Sequence, residues 1–281
     1  MNNLFTVLGI VLMSASLATA QSLPQPSPGA ETEQMIGLAE VEVEYSRPSA
    51  KGRTIFGDLV PYNELWRTGA NKCTTLETSE DIMVNDNMLK AGAYSVLTIP
   101  GKESWTVIFN NNTELRGTGG YSESEDALRL TVPANSMGRM VESFTIDFSD
   151  VTTSSANLNI YWEKTHVALS IKHDYLPIAK KNVEAALKEA EGAYSTYESA
   201  AEFYIDNNME ADKALELAKK SVEMNEVFWN VYTLSRAYAN KGMYEQAIKA
   251  AERSMKLSEE ADYKPYIKRN QDNIAKWKEM M

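Results

Sequence analysis

Residues 40–45 read EVEVEY: Val41, Val43 and Tyr45 fall on one side of an extended chain, and Glu40, Glu42 and Glu44 on the other. A period of two marks a strand with one buried and one wetted face. Similar runs follow at 72–84, 92–99, 104–110, 126–132, 140–148, 157–163 and 166–172. Turn-forming clusters separate many of them: Asn85-Asp86-Asn87, Pro100-Gly101, Asn110-Asn111-Asn112 and Gly117 to Gly120. About eight strands with short connections and no helical pattern between them predict an antiparallel β-sandwich or barrel-like β domain over residues 38–173.

Upstream, residues 21–37 (QSLPQPSPGAETEQMIG) are rich in Pro, Ser and Gly and read as a linker. Residues 1–20 run through an apolar stretch from Leu4 to Leu17 and end in Ala18-Thr19-Ala20, the small-x-small pattern of a signal peptide cleaved before Gln21. The apolar run is too short to anchor the chain, and no cysteine follows it to carry a lipid. Nothing later in the chain is apolar enough to span a bilayer, so the expected location is periplasmic or secreted, with no transmembrane segment after cleavage.

From Tyr175 the apolar residues recur three and four apart, predicting an all-α region over 174–281. Within it, residues 210–225 align on 244–258: Ala214 with Ala247, Ala218 with Ala251, and Ser221 with Ser254. Leu234, Ser235, Tyr238, Gly242, Tyr244 and Ala247 have the spacing of a tetratricopeptide-like helix pair, and residues 263–281 read as a capping helix with Trp277 on its covered face. The fold class expected is therefore α+β in two domains. The helical part either packs as a plain layer or offers Tyr197, Tyr204, Phe228, Trp229 or Tyr232 to a protein partner or to self-association.

Charge narrows the function. The net charge is −11, and residues 21–166 carry 11 Lys and Arg against 20 Asp and Glu, leaving 17 and 19 for the rest. Phosphate backbones need a basic footprint, so nucleic acid is not expected as a partner. Cys73, the sole cysteine, cannot form an internal disulfide and reads as a buried strand residue. His166 and His173 lack ligand spacing, and neither YSESED nor VNDNMLK follows the EF-hand order, so no metal and no cofactor are expected. A G-x-S-x-G elbow is absent.

One acidic-domain segment runs against this balance: residues 44–75, EYSRPSAKGRTIFGDLVPYNELWRTGANKCTT, hold Arg47, Lys51, Arg53 and Arg67 in a loop too long for a hairpin turn. Two readings stay open. Glu142 is in phase with Phe144, Ile146 and Phe148, and Asp126 with Leu128 and Leu130, so the loop cations have inward carboxylates, or Glu163, to neutralise. Alternatively Tyr45, Arg47, Lys51, Arg53, Tyr62, Trp66, Arg67 and Asn71 line a ligand pocket. No catalytic residue is assigned; Glu142 and Glu163 are the only carboxylate candidates for general acid–base chemistry. Trp105 and Trp162 fall on apolar faces and are expected in the core.

The segments YSRPSAKGRTIFGDLVPYNELWRTGANKCTTL, LKAGAYSVLTIPG, WTVIFN, DALRLTV and LNIYWEKTHVALSI together resemble the exported Bacteroidetes-type family catalogued as domain of unknown function 2911, over roughly residues 37–173. The resemblance implies export and a β-rich domain, and brings no substrate. It emphasises Tyr45 to Pro48, Lys51 to Arg53, Phe56, Gly57, Trp66, Arg67, Gly69 to Asn71, Lys90, Gly92 and Trp162 to Lys164. Leu115-Arg116-Gly117 stands where a Trp-Gly pair is expected, so a pocket wall built there would differ in this chain. The expected function is an exported binding module for a small polar, anionic or glycan-like ligand, with a helical tail for association. The alternatives are a hydrolase using the Arg/Lys/carboxylate cluster and a non-catalytic envelope protein.

Overall fold

In the computed structural model, residues 23–189 and 193–281 are described; the expected signal peptide lies outside them. The chain divides into one unit that ends at Asp174 and a second spanning Tyr175–Met281.

Among the described residues of the first unit the alternating runs become ten strands: β1 (Gly29–Ile36), β2 (Ala39–Ser46), β3 (Thr74–Thr78), β4 (Ile82–Val84), β5 (Asn87–Leu89), β6 (Gly92–Pro100), β7 (Ser104–Asn110), β8 (Asp126–Pro133), β9 (Asn135–Ser149) and β10 (Ser155–Lys172). They form two antiparallel sheets, ordered β1-β2-β3-β6-β7-β8 and β5-β4-β10-β9. Val41, Val43, Leu76, Val107, Ile160 and Leu169 point between the layers and are almost fully buried. At one end of this core Trp66 and Trp162 stack 6.0 Å apart, with Phe56, Trp105 and Phe144 set edge-on around them. Such pairs add about 0.5–1.5 kcal/mol each beyond the area they bury.

Three expectations change. Most of residues 21–37 is not linker: β1 pairs with β2 from Gly29↔Ser46 to Ile36↔Ala39. The Pro-rich composition ends at Pro28, after which Ala30, Thr32, Gln34 and Ile36 turn inward in the same two-residue rhythm as β2. The run 72–84 is split between the sheets as β3 and β4. The two runs 157–163 and 166–172 are one strand, β10, with register shifts around Glu163, whose φ is +50°.

The described residues of the second unit form six helices: α1 (Leu176–Glu189), α2 (Tyr194–Asp206), α3 (Ala211–Met224), α4 (Phe228–Asn240), α5 (Tyr244–Glu260) and α6 (Pro265–Glu279). Ala214, Ala218 and Ser221 are fully buried, and so are Ala247, Ala251 and Ser254 at the aligned positions. Small side chains at these points let the helix backbones approach. The Ser221 hydroxyl donates to the Tyr194 carbonyl and the Ser254 hydroxyl to the Phe228 carbonyl, while Asn230 and Asn270 donate to those two hydroxyls. Tyr197 and Tyr204 belong to the helical core, which removes them from the surface offered to a partner; Phe228, Trp229 and Tyr232 remain partly exposed. Among the described residues no helix is long and apolar enough to cross a membrane.

Candidate functional site

The loop between β2 and β3 divides its cations between two tasks. Its first part seals the open edge of β9. The amide of Phe144 donates to the Pro48 carbonyl and the amide of Ala50 to the Glu142 carbonyl, at 2.9 and 2.8 Å. Arg47 adds Nε to the Phe144 carbonyl, 3.1 Å, and Nη2 to Thr145 Oγ1, 2.8 Å. Arg53 folds back on the loop, donating to the carbonyls of Ala50 and Ser49. An unpaired edge invites pairing with other chains, and covering it is a structural role. Asn71 is likewise used, by the Ser27 carbonyl and Ser46 Oγ, and Tyr45 by the Ile146 carbonyl. Lys51 takes a left-handed backbone, φ +52°, and its amide donates to Glu142 Oε1 at 2.7 Å; the side chain is exposed.

Past Gly57 the chain turns toward the ring cluster. Gly57 has φ +93°, and a Cβ there would lie 2.7 Å from the Tyr62 ring, so only glycine fits. Trp66 then pairs with Thr98 through reciprocal amide–carbonyl bonds of 2.7 and 2.8 Å. Extended geometry sends consecutive side chains to opposite sides: the Trp66 ring enters the core and Arg67 faces away from it.

Arg67 is unlike its neighbours. Among the described residues its guanidinium has no hydrogen bond and no ion pair, and its Nε is sealed from solvent without a partner. Nη1 packs 3.5 Å from where Gly117, at φ +145°, would carry a Cβ. The side chain borders a cavity of about 220 Å³ walled by Leu59, Val60, Pro61, Leu65 and Trp66, with Glu64 and Thr118 as its other polar side chains. Beside it Thr68, a fully buried β-branched residue, holds φ +56° and is pinned by hydrogen bonds with Thr98 and Thr74. Backbone strain of this kind concentrates at binding sites.

Thr118, which also lines the cavity, follows directly on the segment with the sequence departure. Leu115 is buried with Cys73, Leu97 and Ile108 in a small core on the outer face of the six-stranded sheet. Cys73 Sγ donates to the Gly117 carbonyl at 3.2 Å; burial pushes its thiol pKa up, against smaller opposing effects of that bond and of Arg67. Of the expected pocket residues, the structure brings Trp66 and Arg67 to this cavity and leaves Tyr45, Arg47, Lys51, Arg53 and Asn71 elsewhere; Tyr62 lies against Gly57 with Lys102 over its ring. Sequence reading missed Leu59, Pro61, Glu64 and Thr118, for which the flanking Pro and Gly runs were the available signal.

The carboxylate explanation of the cations is corrected. Asp126 is buried, but its partners are Arg129, Tyr121 and Asn110. Glu142 is exposed, because β9 before Ser143 pairs only with the bulged part of β10, and Met140 there is 50% exposed. Glu163 sits at the bulge and accepts from the Phe56 amide at 3.4 Å. Among the described residues no ion pair joins Arg47, Lys51, Arg53 or Arg67 to any of the three.

Two other polar groupings lie outside this cavity. On the outer face of β1–β3, Glu31↔Glu44, Glu33↔Glu42 and Glu42↔Glu77 are direct cross-strand pairs, and carboxylate oxygens of Glu31, Glu42 and Glu44 lie within 4.8 Å of one another. Desolvation, then the charges of Glu31, Glu44, Glu77 and Glu33, holds the Glu42 carboxyl above its ordinary range. A wider hollow of about 480 Å³ adjoins Glu31, Glu44 and Lys72, but among the described residues no orphaned buried donor lines it. On the other sheet His166 Nε2 meets Asn159 Oδ1 at 2.9 Å, and Asn159 Nδ2 donates to Asp147 and Ser149. Those donations orient the amide, so Nε2 carries the proton. A straight strand would separate residues 159 and 166 by about 23 Å; the bulge at Glu163 bends β10 enough for them to touch, with His166 stacked on Tyr161 at 4.6 Å.

The fold and loop define a class: a two-sheet antiparallel module whose long β2–β3 loop closes one sheet edge and borders a small cavity, followed by a helical unit. Residues 27–171, more than half of the chain, match the family described as "Protein of unknown function (DUF2911)", and the chain belongs to it. No curated protein matches it.

Proposed function

We propose that the β unit is a binding module for a small anionic ligand held by Arg67. The observation that carries this reading is a guanidinium with no acceptor among the described residues, beside a cavity, in a loop whose other arginines are consumed. A planar fork of donors suits carboxylate or phosphate oxygens, and apolar walls favour a ligand with a hydrophobic part. The geometry favours an anion over a glycan: the Trp66 ring is engaged by four other rings and Tyr62 covers Gly57, so neither offers a free platform for a sugar.

On the same footing, the chain is exported through residues 1–20. The helical unit is a tetratricopeptide-like pair with a terminal cap, whose exposed rings Phe228, Trp229 and Tyr232 serve association with a partner or a second copy. The test of the central proposal is thermal-shift screening of small carboxylates and phosphates against the full chain and Arg67→Met. Ligands that raise the melting temperature of the parent and leave the variant unmoved support it; equal shifts in both refute it.

A further inference from the structure

The cavity beside Arg67 holds a second charge. Glu64 borders the same 220 Å³ space. Among the described residues its carboxylate has no hydrogen bond and no ion pair, and it lies beyond ion-pair distance of Arg67 although only three residues separate them. Opposite charges on one loop attract, and flexible side chains close that gap when the backbone permits. Here the Trp66–Thr98 pairing fixes the direction of Arg67, and Gly117 backs its guanidinium. Leu59, Pro61 and Leu65 line the same cavity as the two charges.

We propose that the ligand is a zwitterion, a free α-amino acid with a small apolar side chain; this rests on the reading of Arg67 as an anion site. Its carboxylate meets the Arg67 guanidinium, its ammonium meets Glu64, and its side chain lies on the apolar wall. A plain carboxylate satisfies only Arg67 and is repelled by Glu64, whereas a plain amine is repelled by Arg67. Size agrees: at about 30 Å³ per water-sized group, the cavity of about 220 Å³ takes roughly seven non-hydrogen atoms, between the roughly six of alanine and the roughly nine of leucine.

The experiment is calorimetric titration of the full chain with L-leucine, with 4-methylpentanoate, which lacks the ammonium, and with 3-methylbutylamine, which lacks the carboxylate. The expected result is leucine binding at least about tenfold tighter than either analogue. Glu64→Gln, an exposed position that leaves the fold intact, should bring leucine and 4-methylpentanoate to within about twofold of each other. Binding of 4-methylpentanoate as tight as leucine overturns the zwitterion while leaving the anion site standing. Failure of leucine, 4-methylpentanoate and phosphate alike, with a folded chain, overturns both.

Discussion

Replacing Arg67 by methionine should stabilise the protein. An orphaned donor shut away from water costs about 1–3 kcal/mol, and Arg67 Nε is one. Methionine keeps an unbranched apolar stem of similar reach against Gly117 and the cavity wall, and it brings no donor. Allowing for some loss of stem packing, we expect Arg67→Met to gain about 1 kcal/mol, or roughly 2–4 °C in the transition of a unit of this size. Arg47→Met is the control with the opposite sign. It removes the bonds to the Phe144 carbonyl and Thr145 Oγ1, and should cost about 2–4 kcal/mol. Equilibrium urea unfolding of both variants, followed by near-UV circular dichroism of the Trp66–Trp105–Trp162 cluster, separates the two cases. If Arg67→Met destabilises as Arg47→Met does, its guanidinium is a structural donor and the ligand reading falls with it.

Three further outcomes follow from other sites. Burial places the His166 pKa below its ordinary value, with Asp147 opposing, so the folded state binds fewer protons than the unfolded chain. The stability this contributes is complete above the unfolded value near 6.5 and is lost as pH falls through the folded one; urea midpoints between about pH 7 and 5.5 should slope less in His166→Gln, and an unchanged slope contradicts the burial argument. Cys73 in the native chain should react with iodoacetamide at least about tenfold more slowly than in urea, since its raised pKa lowers the thiolate fraction and its burial limits access of the reagent. Gly57→Ala should cost about 2–4 kcal/mol by thermal melting, because the new Cβ must displace the Tyr62 ring and hold φ +93°; a neutral result would mean that the loop repacks freely.

How much of this was legible in the sequence differs by length scale. Alternation placed β2 and the inward Val41, Val43 and Tyr45 without help, because one residue of slip would turn the whole face to water. The serine and alanine pairs of the helical unit were legible for a similar reason, since Ser221 and Ser254 occupy the same fully buried position in successive helix pairs. Glu142 was misread because the two-residue rule holds only while an opposing layer covers the strand, and the bulge at Glu163 ends that cover. The ring cluster was legible in part. Trp105 and Trp162 announced themselves by phase, whereas Trp66 sits in an irregular loop whose pairing with Thr98 has no local signature.

The site itself shows why residue type cannot identify a binding cation. Arg47, Arg53 and Arg67 occur in one loop and carry identical chemistry, yet what separates them is which carbonyls lie within reach, a property of the fold rather than of the local sequence. Phe144, Ser49 and Ala50 offer theirs to the first two. Around Arg67, among the described residues, no carbonyl receives the guanidinium; those of Arg67, Gly69 and Gly117 instead accept from the Thr74 amide, Trp66 Nε1 and Cys73 Sγ. The loop therefore leaves one guanidinium that no acceptor among the described residues engages, and its hydrogen-bonding capacity stays open to a molecule that enters from outside.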